Sequence, residues 1–199
     1  MPAPKAPDNK QVLRREMRRR RRALSPLQQK QAAASLFRTV VRSRAFRFSR
    51  RIAFTVAFDG EISPFLLLRE AQRRGKECYL PALNPTGTHR LHFRRLKKTQ
   101  TFSKNTYGIP EPGNGSSCHP RALSLVLMPL VAFDANCNRL GMGKGYYDRT
   151  FAFLRSSARQ RPALLGLAHE CQRTEQLLDV DSWDVPLNAV ATDQHWYRR

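Results

Sequence analysis

Short apolar runs alternating with amphipathic stretches predict an α/β fold, a single layered domain whose mostly parallel sheet is flanked by helices. The runs at 51–58, 123–128 and 163–168 are apolar on both sides, as strands covered on both faces of a parallel sheet must be. Between them lie segments with helix start and stop signals. The length, 199 residues, is most simply one domain, and no internal repeat divides it.

Taken in order, residues 1–9 are rich in Pro and Ala and are expected to form a disordered tail, leaving 10–199 as the folded domain. Residues 10–24 have helical periodicity, with Leu13, Met17 and Leu24 near one face. The run Arg18 to Arg22 must wrap around that helix, so its five side chains cannot share one ligand; a solvated face and a polyanion arm both fit it. Ser25, Pro26 and Gln28 spell a helix start with a capping box, and the helix is expected to end near Phe46. The strand at 51–58 stops at Asp59-Gly60-Glu61, after which Ser63-Pro64 opens a helix that Gly75 closes. Glu77 to Leu80 and Leu91 to Leu96 read as strands, and 97–120 as irregular chain. The last strands are expected at 163–168 and 189–192.

The net charge of +21 is concentrated at the front: residues 1–51 hold sixteen Lys and Arg against Asp8 and Glu16. Such a concentration attracts polyanions without naming which, so an RNA- or DNA-binding role through the basic helix stands as a rival class. No stretch nears twenty apolar residues, which excludes a helical membrane span, and the polar N-terminus lacks the apolar core of a secretory signal. Cys78, Cys118, Cys137 and Cys171 form no paired spacing, and His89 and His92 lack a third ligand nearby. A reducing compartment, the cytoplasm, is therefore expected, with a monomer acting on small molecules.

The chemistry gathers in residues 128–149, MPLVAFDANCNRLGMGKGYYDR. A buried strand ends at Pro129, which cannot donate to a central ladder. A loop follows with Gly141, Gly143 and Gly145, Arg139 before them and Lys144 between them. Glycines let a ligand approach the backbone, successive N–H groups can converge on an anion, and Lys144 adds a point charge. Tyr146, Tyr147 and Asp148 begin a helix expected to run to about Arg155. Asp148 stands where Mg²⁺ bridging to phosphate would need a carboxylate. The spacing is neither the Walker pattern nor the dinucleotide fingerprint. A glycine turn with a solvated lysine and a capping aspartate would read the same way. Lying in a loop or on a first helical turn, neither Lys144 nor Asp148 is expected to hold the core.

This stretch resembles the signature of the 5-formyltetrahydrofolate cyclo-ligase (methenyltetrahydrofolate synthetase) family, and the similarity runs from Lys10 to Thr192. The resemblance implies a layered fold related to the sugar-phosphate isomerase and CoA-transferase type. It also implies ATP- and Mg²⁺-dependent closure of 5-formyltetrahydrofolate to the 5,10-methenyl form. It places Lys10 and Arg14 of K-Q-V-L-R, together with Arg139, Leu140, Gly141, Met142, Gly143, Lys144, Gly145, Tyr146 and Tyr147, on the nucleotide, with Lys144 and Arg139 acting on the transferring phosphate. F-D-G-E-I is similar to the family's folate segment, which implies Glu61 as polar contact and Val56 as apolar wall, and Y-G-I-P-E-P resembles a segment that would put Tyr107 near the pterin. Asp148, and Asp184 through water, are implied for Mg²⁺. Where some members carry arginine this chain has Met142, so one phosphate contact must be missing or come from elsewhere.

Overall fold

The computed structural model describes residues 9–84, 87–97, 99–113, 115–156 and 161–199. Three helices come first: α1 (Asn9–Arg22), α2 (Pro26–Arg42) and α3 (Arg44–Phe48). Then follow β1 (Arg51–Ala53), α4 (Phe65–Arg73), β2 (Glu77–Leu83), β3 (Leu91–Arg95), β4 (Phe102–Lys104), β5 (Pro110–Pro112) and β6 (Ser117–Cys118). The second half holds β7 (Leu125–Pro129), β8 (Ala132–Phe133), β9 (Arg139–Leu140), α5 (Tyr146–Phe151), β10 (Ala163–Leu167), β11 (Ala189–Ala191) and β12 (Trp196–Arg198).

The sheet is eight-stranded in the order β12-β11-β10-β7-β1-β2-β3-β6. Its centre, β11 to β2, is parallel, while β12, β3 and β6 add antiparallel edges. Two cores lie on its faces. Leu36, Val40, Phe46 and Leu67 of α2, α3 and α4 cover Ile52, Leu125 and Leu165 on one side. Phe151 of α5 joins Phe93, Val126, Met128 and Val190 on the other. Alternate residues of one strand thus serve opposite cores, which explains why these runs are apolar throughout. The α/β architecture with a mostly parallel sheet is the one expected.

Several boundaries move. The tail expected at 1–9 lies outside the described residues except for Asn9, which already opens α1. The capping box at Ser25 and Gln28 forms, but the second helix breaks at Ser43, whose side chain caps α3 by accepting from the Phe46 N–H. The strand expected over 51–58 pairs only through Ala53, with one further bond from the Phe54 N–H to the Tyr79 carbonyl, 2.8 Å. Beyond it the chain leaves the ladder and becomes cavity wall. Residues 97–120 are not wholly irregular: β4 and β5 pair as a small hairpin and β6 extends the main sheet. The ribbon β8–β9 and the edge strand β12 were not anticipated either. Strands of two or three residues are too short to show a period.

Candidate active site

The parallel strands share one direction, so their carboxyl ends deliver loops to one edge of the sheet, where open α/β folds bind ligands. A cavity of about 1580 Å³ opens there. It is lined by Thr55, Val56 and Glu61 after β1, Pro129 and Leu130 at the end of β7, the glycine loop, one side of α1, and the segment from Arg173 to Asp184.

The glycine loop is held from two sides. Asp134, fully buried, accepts from the N–H groups of Asn136 and Asn138 and ties the β8–β9 turn to the Leu178 N–H. That ribbon presents Arg139 and Leu140 at the loop's entry. At its exit Gly145 adopts φ +62°, which strains any L side chain, and the Arg149 guanidinium packs 3.0 Å from where a Cβ would sit. Arg149 also donates to the Lys144 carbonyl. Sequence reasoning left Arg149 out, although it closes the quoted motif. Lys144 and Met142 are exposed on the cavity side.

From across the cavity α1 meets this loop. Arg14 Nε donates to the Gly141 carbonyl at 3.0 Å, and its guanidinium lies 3.5 Å from the Cβ position of Gly143, itself at φ +88°. Arg14 thus brings a guanidinium from α1 against the loop that carries Met142. Lys10, one turn earlier, binds Asp181 at 2.7 Å, and that hydrogen bond raises its pKa. Lys10 and Arg14 do share a helix face and a cavity, as their spacing predicts.

The rest of α1 serves the fold. Arg21 is 0 % exposed and donates to the carbonyls of Asp59 and Leu130 at 2.8 and 3.1 Å, and to the Asp59 carboxylate at 2.9 Å. Arg18 and Arg22 converge on the same carboxylate, while Arg19 and Arg20 bind Glu16. The solvated face expected for Arg18 to Arg22 is therefore only partly one. Gly60 is required beneath it: at φ +78° its Cβ position lies 3.1 Å from the Arg21 carbonyl.

This knot places Glu61, whose carboxylate stands 3.7 Å from Arg21 and accepts from the Phe58 N–H at 3.2 Å. Burial pushes its pKa up to about 7, with Arg21 pulling the other way. A carboxyl raised in the folded state costs nothing below its unfolded pKa, where both states are protonated. Its penalty grows as pH rises from about 4.5 toward 7 and is constant above. Glu61→Gln is therefore expected to gain stability over the parent between pH 5 and pH 8, by at most ~3 kcal/mol, in urea melts. A difference that does not vary with pH would refute the raised pKa.

Tyr147 stacks on Phe151 (6.4 Å, 18°), and burial raises its hydroxyl's pKa, with Glu61 adding to the effect. Tyr146 turns outward: its hydroxyl is 3.2 Å from that of Tyr107, and the rings meet edge-on. Tyr107 is brought there by the β4–β5 hairpin, which Glu111 secures by accepting from the N–H of Leu83 and from Asn105. Val56 lines the cavity beneath.

Asp148 does not project freely. It pairs with Arg139 and accepts from the Val185 N–H at 3.2 Å. The Arg139 side chain is 7 % exposed, and its Nε has no partner among the described residues. Asp184 accepts from the Asp181 N–H at 2.9 Å. No group of three or more His, Cys, Asp or Glu side chains suited to a metal occurs among the described residues. Asp148, Asp181 and Asp184 all face the cavity, which suits an ion held by one or two carboxylates and by phosphate oxygens of its ligand. No described helix is long and apolar enough to cross a membrane.

The chain is 39% identical over 180 residues to the 5-formyltetrahydrofolate cyclo-ligase of Haemophilus influenzae, covering 89% of this chain and 94% of that protein. Against the enzyme of the same name from Escherichia coli K12 it is 35% identical over 178 residues, covering 88% and 96%. The solved structure of Aquifex aeolicus 5,10-methenyltetrahydrofolate synthetase superposes with a TM-score of 0.80 at 27% identity, covering 95% of this chain and 92% of that one. With residues 6–193 also matching the profile described as the 5-formyltetrahydrofolate cyclo-ligase family, this chain belongs to that family of enzymes.

Proposed function

We propose that the protein converts 5-formyltetrahydrofolate and ATP to 5,10-methenyltetrahydrofolate, ADP and phosphate, as a monomer. The observation that carries this is one cavity that puts the glycine loop and Lys144 between a cationic helix face and the Glu61–Tyr107 wall. Its volume exceeds the ~300–1,000 Å³ of a typical single-ligand pocket, as two substrates require.

A formamide is a poor electrophile because its nitrogen donates into the carbonyl, and its oxygen leaves poorly. Transfer of the γ-phosphoryl group to the formyl oxygen breaks the bond to the β-phosphate and forms a carbon–oxygen–phosphorus link. N10 then attacks the formyl carbon, its proton is released, and phosphate departs as the five-membered ring closes. Positioning and charge stabilisation are what such a transfer asks of the protein. Lys144, Arg14 and the loop N–H groups would hold the phosphates, with Lys10 and Arg139 beside them. Glu61, poised near neutrality, can accept from or donate to the pterin against the Val56 and Tyr107 walls. Asp148, with Asp184, would hold Mg²⁺, which when bound neutralises charge on the phosphate oxygens. The arginine run is assigned to the fold, since its members already hold Asp59 and Glu16.

The test is absorbance of the methenyl product from 5-formyltetrahydrofolate. Product is expected only with ATP and a divalent cation together, and Lys144→Ala should lower the rate at least tenfold, about 1.4 kcal/mol of transition-state stabilisation. Equal turnover with EDTA or without nucleotide would refute the reading.

A further inference from the structure

Trp183 is the anomaly of the cavity wall. Large aromatic side chains are mostly covered in folded proteins, yet this indole is 61% exposed, with Leu177 beside the same cavity at 63%. The segment that carries them is anchored, not loose. Lys10 binds Asp181 at 2.7 Å, Arg155 donates to the Ser182 carbonyl at 3.2 Å, and the Val185 N–H donates to Asp148. An uncovered indole on an anchored segment, in the wall of a large cavity, offers a flat apolar face to a ligand.

We infer that Trp183 stacks on the adenine base of the nucleotide, so that this exposed apolar shelf is the base subsite of the site proposed above, and the inference rests on that reading. Position selects the base over the folate rings. Trp183 directly precedes Asp184 and lies in the segment that contacts Lys10 and Asp148, the residues proposed above for the phosphates and the metal. The folate wall of Glu61 and Tyr107 is built from other elements, the turn after β1 and the β4–β5 hairpin. A nucleotide with its phosphates on the loop and its base on the shelf leaves the γ-phosphate to face Glu61 and the pterin. Stacking tolerates any base face, so this subsite should favour purines through ring area and not through hydrogen-bond readout.

The chain has two tryptophans, so fluorescence can report on one of them. Mg-ATP should quench the emission of the parent protein saturably, and that change should vanish in Trp183→Phe, where Trp196 remains. Trp183→Ala should raise the KM for ATP about tenfold with kcat within about twofold, and Trp183→Phe should retain a near-parental KM because a ring remains. Inhibition by inorganic tripolyphosphate, which has no base, should be equal in parent and Trp183→Ala. A raised KM for 5-formyltetrahydrofolate in place of ATP, an unchanged KM for ATP, or equal quenching in Trp183→Phe would overturn the inference. A parent protein that makes no product with ATP would instead overturn the underlying functional reading.

Discussion

Alanine in place of Asp148 is expected to lower turnover at least tenfold and also to destabilise the fold by about 3–5 kcal/mol. The first effect follows from losing the carboxylate proposed for Mg²⁺. The second follows from Arg139, whose side chain is 7 % exposed and whose partner is Asp148. Removing the acid leaves a guanidinium in the cavity wall without its counter-charge, and the Val185 N–H without its acceptor. The sequence suggests that a first-turn acid does not hold the core; its pairing with the largely buried Arg139 is the reason to expect an effect on stability here. Urea denaturation of Asp148→Ala and of the Arg139→Met, Asp148→Ala double variant separates the two roles. The double variant should recover most of the lost stability and none of the activity. A single variant as stable as the parent would mean that water replaces the carboxylate, and near-normal turnover would remove Asp148 from the chemistry.

Arg21→Met is expected to cost about 1–3 kcal/mol, for a different reason. Arg21 is 0 % exposed, and it satisfies two carbonyls and the Asp59 carboxylate. Methionine fills the space of the stem but leaves the Asp59 carbonyl without its donor, while Arg18 and Arg22 still hold the Asp59 carboxylate and Gln172 still donates to the Leu130 carbonyl. Because the same guanidinium stands 3.7 Å from Glu61, the KM for 5-formyltetrahydrofolate should rise along with the loss of stability. Arg19→Ala, on the solvent side of the same helix, should leave the urea midpoint essentially unchanged, since exposed pairs contribute little. Equal effects at the two positions would show that the arginine run is one undifferentiated surface.

The residues of the site were largely legible in the chain, because local order decides local chemistry. The glycines, Lys144 and Asp148 fall within one short motif, and a four-residue interval puts Lys10 and Arg14 on one helix face. The helix cap at Ser25 and the apolar runs of the central strands are likewise local signals, which is why the α/β class and its parallel centre could be read directly. Family resemblance supplied the roles of Glu61, Val56, Tyr107 and Asp184, which no spacing could have assigned.

What the sequence alone determined is therefore the class of fold and a set of candidate site residues; what only the tertiary structure decided is which groups pair. Arg21 and Arg19 are both arginines of one run, and only the turn at Asp59, 38 residues from Arg21, makes one a buried anchor and the other a surface charge. Arg14 reaches the Gly141 carbonyl because α1 is laid across the glycine loop, 127 residues away in the chain. Trp183 carries no local signal in the sequence, and only the folded chain brings it to the cavity wall. Short strands such as β8, β9 and β12 have too few residues for a period and exist because neighbours offer unpaired backbone groups. Electrostatics and edge pairing depend on distance in space, and the folded chain alone sets those distances.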